Sequence, residues 1–82
     1  MPPESLESRV RQIVANTLNL PVEQVSDDAG ADSFSEWDSM AHLMLVLSLE
    51  QEFSRQFSPA DVERMKSVGS IVALLKQDQM GG

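Results

Sequence analysis

With 82 residues and no cysteine, the chain has room for one domain and a modest core, which packing must hold without disulfides or zinc-thiolate sites. Its 41% hydrophobic and 23% charged residues give the composition of a soluble globular domain, neither a disordered segment nor a membrane span. A formal charge of -7 excludes nucleic acid as a partner, because phosphate binding needs clustered Lys and Arg. No apolar run approaches the roughly 20 residues a bilayer needs, and M-P-P-E-S-L-E has no basic stretch ahead of an apolar one. The expected setting is therefore the cytoplasm, with no membrane partner. Between Arg11 and Arg55 there is no Lys or Arg, while Glu23, Asp27, Asp28, Asp32, Glu36, Asp38, Glu50 and Glu52 all fall there. Such an excess reads either as a solvated acidic surface or as a face for basic partners.

Helix one is expected over L-E-S-R-V-R-Q-I-V-A-N-T-L, where Leu6, Val10, Ile13, Val14 and Thr17 follow helical spacing and Arg9, Arg11 and Gln12 lie elsewhere on the wheel. Pro3 falls in its first turn, and Glu4 and Glu7 suit the positive end of the dipole. From Asn19 to Asp38 runs a long connection rich in turn formers, with Val25, Phe34 and Trp37 as its expected anchors. Helix two follows from Ser39 to Phe53 or Ser54. A short third helix begins in S-P-A-D-V-E-R-M, with Ser58 as cap and Pro59 at the first helical position. A last helix, capped by Ser67, is expected to run to about Gln77 with Val68, Ile71, Val72 and Leu75 on one face. The expected fold is all-α: a small four-helix bundle of three longer helices and one short one, with a long loop between helices one and two. Residues 1–82 form one domain, ordered over about 4–78, with a short tail at 79–82.

Helix two has two apolar sides. At 100° per residue, Leu45, Val46, Leu49 and Phe53 gather on one, while Met40, Leu43, Met44 and Leu47 gather on the other. The first set persists to the helix end and is assigned to the core. The second gives way to Gln51 and Ser54 and is assigned to the surface, as a patch for partners next to Ser39. A helix buried all round, or a Met-rich core without a partner role, are the competing readings.

Asp38 makes a good N-cap, so Asp38-Ser39 by itself is an ordinary helix start. The wider context is more specific: a long acidic loop, D-S-M-A-H-L-M-L-V-L-S-L-E-Q-E-F, a short Pro-started helix and a capped last helix. On those residues the chain resembles the acyl carrier protein family, from about Leu6 to Leu75. The resemblance implies that Ser39 is the hydroxyl to which a phosphopantetheinyl transferase attaches 4'-phosphopantetheine from coenzyme A, with Asp38 as helix cap and part of the transferase motif. It implies a carrier rather than an enzyme, holding acyl groups as thioesters and meeting acyl-loading and acyl-processing enzymes with basic docking surfaces. A monomer is expected. Glu36, Met40, Leu43, Met44 and Leu47 are the expected partner-binding residues, with Asp38, Glu50 and Glu52 adding electrostatic steering.

Three departures from the family pattern matter. Glu36 stands where the family often has Gly, and Met40 replaces Leu after the serine, a volume-conserving change. Ala41 and Met44 occupy positions where fatty-acid-type carriers carry acids, so W-D-S looks more like discrete carriers of polyketide-type or related specialised pathways. An aminoacyl or peptidyl carrier, or an unmodified acidic helical adaptor, are the alternatives.

Other constellations weigh less. Ser39 and His42 at i, i+3 beside Asp38 suggest a triad, but G-x-S-x-G is missing and there is no room for a substrate cleft. His42 reads as a partly exposed helix-surface residue. D-D-A-G-A-D lacks the spacing of an EF-hand loop, leaving at most an incidental cation site, so no metal is expected. The terminal M-G-G matches the diglycine of ubiquitin-like sulfur carriers, which are strand-rich, whereas this chain lacks alternating patterns.

Overall fold

Ser5 opens the fold: its hydroxyl accepts from the Ser8 N–H at 3.1 Å and caps the first helix, α1, Leu6–Leu18. This computed structural model describes residues 5–26 and 28–81, with side chains as far as residue 77. The expected roles of Pro3, Glu4 and Asp27 lie outside the described residues. After α1 come a 3₁₀ turn at Val22–Gln24, α2 at Ser39–Phe53, α3 at Pro59–Arg64 and α4 at Val68–Gly81. Among the described residues there is no strand, and the four-helix arrangement with its long first loop is the expected one.

The caps follow the sequence. Ser58 and Asp61 exchange side-chain-to-backbone bonds at 3.2 and 3.4 Å, a capping box that starts α3 on Pro59. Ser67 Oγ accepts from the Ser70 N–H at 3.1 Å at the head of α4. That helix continues past the expected end near Gln77 to Gly81. Asn19 and Ser54 close α1 and α2 in the left-handed region, at φ 59° and 53°.

α1 packs against both α2 and α4, and its buried face is Val10, Val14, Ala15 and Leu18. The expected stripe is therefore rotated slightly: Leu18 takes the place assigned to Thr17, which is half-buried. Leu45, Leu49, Ile71 and Val68 join Val10 and Val14 as the most completely buried side chains. Met65, just after α3, is fully buried with them. Its unbranched thioether reaches between helices where no periodic pattern announces it.

The long loop is pinned at both ends and in the middle. Val25 and Trp37 are buried, and Phe34 packs half-buried against the core, as expected of its anchors. Arg11 Nε donates to the Val25 carbonyl at 2.7 Å. Gly30 and Ser67 form an isolated antiparallel bridge, flanked by Ala31 N–H to Lys66 O at 2.8 Å and Val68 N–H to Ala29 O at 2.9 Å. A Cβ at Gly30 would stand 3.0 Å from the Lys66 carbonyl oxygen, a tight approach that favours glycine, since any other residue would have to push the bridge apart by a few tenths of an ångström. The consequence is positional: the acidic loop and the α3–α4 connection are tied together next to the start of α2.

Candidate functional site

Asp38 is the N-cap of α2. Its Oδ1 accepts from the Ala41 N–H at 2.9 Å, and its carbonyl accepts from the His42 N–H at 2.8 Å. Ser39 therefore occupies the first helical position and is exposed. Within a helix the first N–H groups have no carbonyl one turn back to bond. Asp38 serves that of Ala41, which leaves those of Ser39 and Met40 facing outward with the positive end of the helix dipole. An anionic group esterified on the Ser39 hydroxyl would meet both, and an exposed hydroxyl is what a covalent attachment requires.

The two sides of α2 separate as the wheel predicts. Leu45, Val46 and Leu49 are buried, with Leu49 at 0%, and Phe53 is half-buried beneath the Arg9 guanidinium, 4.7 Å from its ring centroid. Met40, Leu43, Met44 and Leu47 are 72%, 60%, 55% and 58% exposed. They form an apolar patch on the first turns of α2, contiguous with Ser39. Neither a fully buried helix nor a Met-rich core survives these exposures.

The acids divide differently from the expectation. Glu36 and Asp38 are exposed beside Ser39. Glu52, however, pairs with Arg9 at 2.8 Å, and Glu50 is half-buried and accepts from the Phe57 N–H at 2.9 Å. Glu50 and Glu52 therefore serve the fold's own contacts, as Asp38 does by capping α2, and Glu36 and Asp38 are the acids that adjoin Ser39.

His42 is not a base for Ser39. Its Nδ1 accepts from the Trp37 indole N–H at 3.1 Å, which leaves Nε2 to donate to the Val62 carbonyl at 2.8 Å. Both ring nitrogens are thus committed away from the serine. The neutral Nε2–H tautomer satisfies both bonds at once. This role is structural and was missed in the sequence, where His42 read as a surface residue.

Beside Ser39 lies an open groove of about 580 Å³, lined by Ala31, Trp37, Ser39, His42, Leu43 and Lys66, with Asp32 and Asp38 at its edge. Lys66 and Ala31 reach it from other parts of the chain, and no local pattern in the sequence points to them. Among the described residues no cluster of His, Asp and Glu is placed to hold a metal ion, and no helix is long and apolar enough to cross a membrane.

The family described as the phosphopantetheine attachment site matches residues 8–75. The acyl carrier protein of Chlamydia caviae is 27% identical over 75 residues, covering 92% of this chain and 97% of the relative. Those of Chlamydia felis and Chlamydia trachomatis are 27% and 28% identical over the same length, covering 92% of this chain in each case and 96% and 97% of the relatives.

Proposed function

This chain belongs to the phosphopantetheine-attachment family, whose members are carriers with a covalently bound 4'-phosphopantetheine, and from that premise we propose that Ser39 is its attachment residue. The observation that carries the assignment is the exposed Ser39 hydroxyl at the capped N-terminus of α2, adjoining an exposed patch of Met40, Leu43, Met44 and Leu47. When bound, the group supplies a thiol on a long arm to a chain that has no cysteine of its own. The chain then holds acyl intermediates as thioesters and presents them to biosynthetic enzymes.

In the loading step Ser39 Oγ forms a bond to phosphorus as the pyrophosphate linkage of coenzyme A breaks and adenosine 3',5'-bisphosphate leaves. The hydroxyl proton passes to a base of the transferase, because both nitrogens of His42 are already engaged. Asp38 holds the helix start rigid, and the outward N–H groups of Ser39 and Met40 favour the phosphodiester. Transferase and acyl-processing enzymes dock on the apolar patch, with basic side chains meeting Glu36 and Asp38. Ala41 and Met44, at positions where fatty-acid-type carriers have acids, support service in a polyketide-type or related specialised pathway of the cytoplasm, by a monomer of one domain.

The test is the intact mass after incubation with coenzyme A and a broad-specificity phosphopantetheinyl transferase. One added phosphopantetheine is expected, and none in Ser39→Ala. Unchanged mass in the parent, under conditions that load a control carrier, would sink the carrier reading and favour an unmodified adaptor. Addition surviving in Ser39→Ala would move the site.

A further inference from the structure

The groove beside Ser39 has an uneven chemistry. Trp37 and Leu43 bring apolar surface from one side and Ala31 from the other. The polar atoms of Trp37 and His42 are spent on each other and on Val62, so these rings present satisfied faces rather than open hydrogen-bonding groups. The charges at the rim are Asp32 and Asp38, both acidic, and Lys66, the only cation among the lining residues. A phosphodiester on Ser39 adds a further negative charge beside those two carboxylates. Like charges this close disfavour one another, and the rim supplies one group able to offset them.

We propose that Lys66 is the counter-ion of the phosphodiester on Ser39, and that it seats the near end of the arm in this groove, against Trp37, Ala31 and Leu43. The proposal rests on the reading of Ser39 as the attachment residue. Three observations place Lys66 for the task. Its carbonyl accepts from the Ala31 N–H at 2.8 Å, which fixes its backbone against the acidic loop. The neighbouring Val68 N–H bonds Ala29 O at 2.9 Å, so the α3–α4 connection is held on both sides of the Gly30–Ser67 bridge. Its side chain is exposed and makes no ion pair among the described residues, although Asp28 and Asp32 line the adjoining hollow with it. A lysine suits the role: a compact charge on a flexible stem follows a phosphate that leaves and re-enters the groove as partners take up the arm. The binding chemistry of the groove is thus an anion followed by a short branched aliphatic segment, which matches the phosphate and pantoate end of the cofactor rather than its thiol.

The test uses the full chain, apo and loaded, with loading verified by intact mass before any other reading. Failure to load would therefore be recognised as failure of the Ser39 assignment and not of this proposal. The readout is the change in backbone amide and indole N–H resonances between apo and holo forms. In the parent, changes are expected at Ala31, Asp32, Lys66 and the Trp37 indole as well as around Ser39. In Lys66→Gln those at Ala31, Asp32 and Trp37 should fall to about half or less, while those around Ser39 persist, and Lys66→Arg should restore them. The substitution leaves the Lys66 carbonyl in place, and matching apo spectra check that the loop is intact. The parent itself provides a second arm: raising salt to where charges are screened beyond about 3 Å should weaken the same remote changes. Remote changes that are absent in the parent, or undiminished in Lys66→Gln and at high salt, would overturn the proposal and leave Lys66 only the role of balancing Asp28 and Asp32.

Discussion

The indole N–H of Trp37 donates to Nδ1 of His42 at 3.1 Å, and the two rings lie 6.3 Å apart at 28° to one another. With Nε2 of His42 bonded to Val62 O at 2.8 Å, one imidazole joins the end of the acidic loop, the first turn of α2 and α3. Removing it leaves the indole N–H of a buried tryptophan without its acceptor and takes one of two donors from the Val62 carbonyl, which keeps the Met65 N–H at 3.2 Å. His42→Ala should lower stability by about 1 to 3 kcal/mol, read by urea denaturation. Trp37 is the single tryptophan, so its emission should shift to the red as the loop end loosens. Because His42 carries no proton for Ser39, the variant should still load to completion. Abolished loading in a folded His42→Ala protein would instead make it part of the chemistry.

The faces of α2 give a paired test. Leu49 is fully buried and Leu47 is 58% exposed. Leu49→Ala should cost about 2 to 5 kcal/mol, a large part of the stability of so small a domain. Leu47→Ala should stay within about 0.5 kcal/mol. Equal losses in thermal or denaturant unfolding would contradict the assignment of faces.

Partner contact is tested by charge placed on the patch. Met44 is 55% exposed, so Met44→Asp should keep native helicity and a melting temperature near the parent's, while loading of Ser39 slows. The parent's loading rate should also fall as salt rises, since exposed charges are screened beyond about 8 Å at physiological ionic strength. Glu36→Gln should blunt that salt dependence. Glu52→Gln should not, because Glu52 is already paired with Arg9. Unaltered loading in Met44→Asp would shift recognition from the patch to the acidic loop.

Acid stability should involve Glu7. A backbone hydrogen bond at the start of α1, and then Lys76 at 3.2 Å, hold its carboxyl below the ordinary value of 4.5. A carboxyl depressed in the folded state stabilises above its unfolded pKa, and that contribution is lost as pH falls through the folded one. Glu7→Gln should therefore lower the melting temperature slightly near neutrality and converge with the parent in acid. Its surface position keeps the effect small. A constant difference at every pH would rule out ionisation as the cause.

Much of the site was legible because it is local. Asp38 caps, Ser39 begins the helix, and a 3.6-residue period sorts Leu45, Val46 and Leu49 from Met40, Leu43, Met44 and Leu47. Each of those inferences needs only the neighbours within a turn or two. The caps at Ser58 and Ser67 were legible for the same reason, and glycine at Gly30 and methionine at Met65 were not, because what they answer to lies far along the chain.

The sequence by itself determined the helices, their caps, the two faces of α2 and the serine at its head, since propensity, capping and periodicity act over a few residues. Only the tertiary structure decided which acids are drawn into the fold's own long-range contacts: Glu52 meets Arg9 across 43 residues, and Glu50 is drawn to the Phe57 N–H. It also decided that His42 binds Trp37 and Val62 rather than Ser39, and that Lys66 arrives at the groove by way of the Gly30–Ser67 bridge. A charged or polar side chain can satisfy itself with any of several partners. Which one it takes is set by the packing that brings distant backbone within 3 Å, and no local pattern in the chain records that choice.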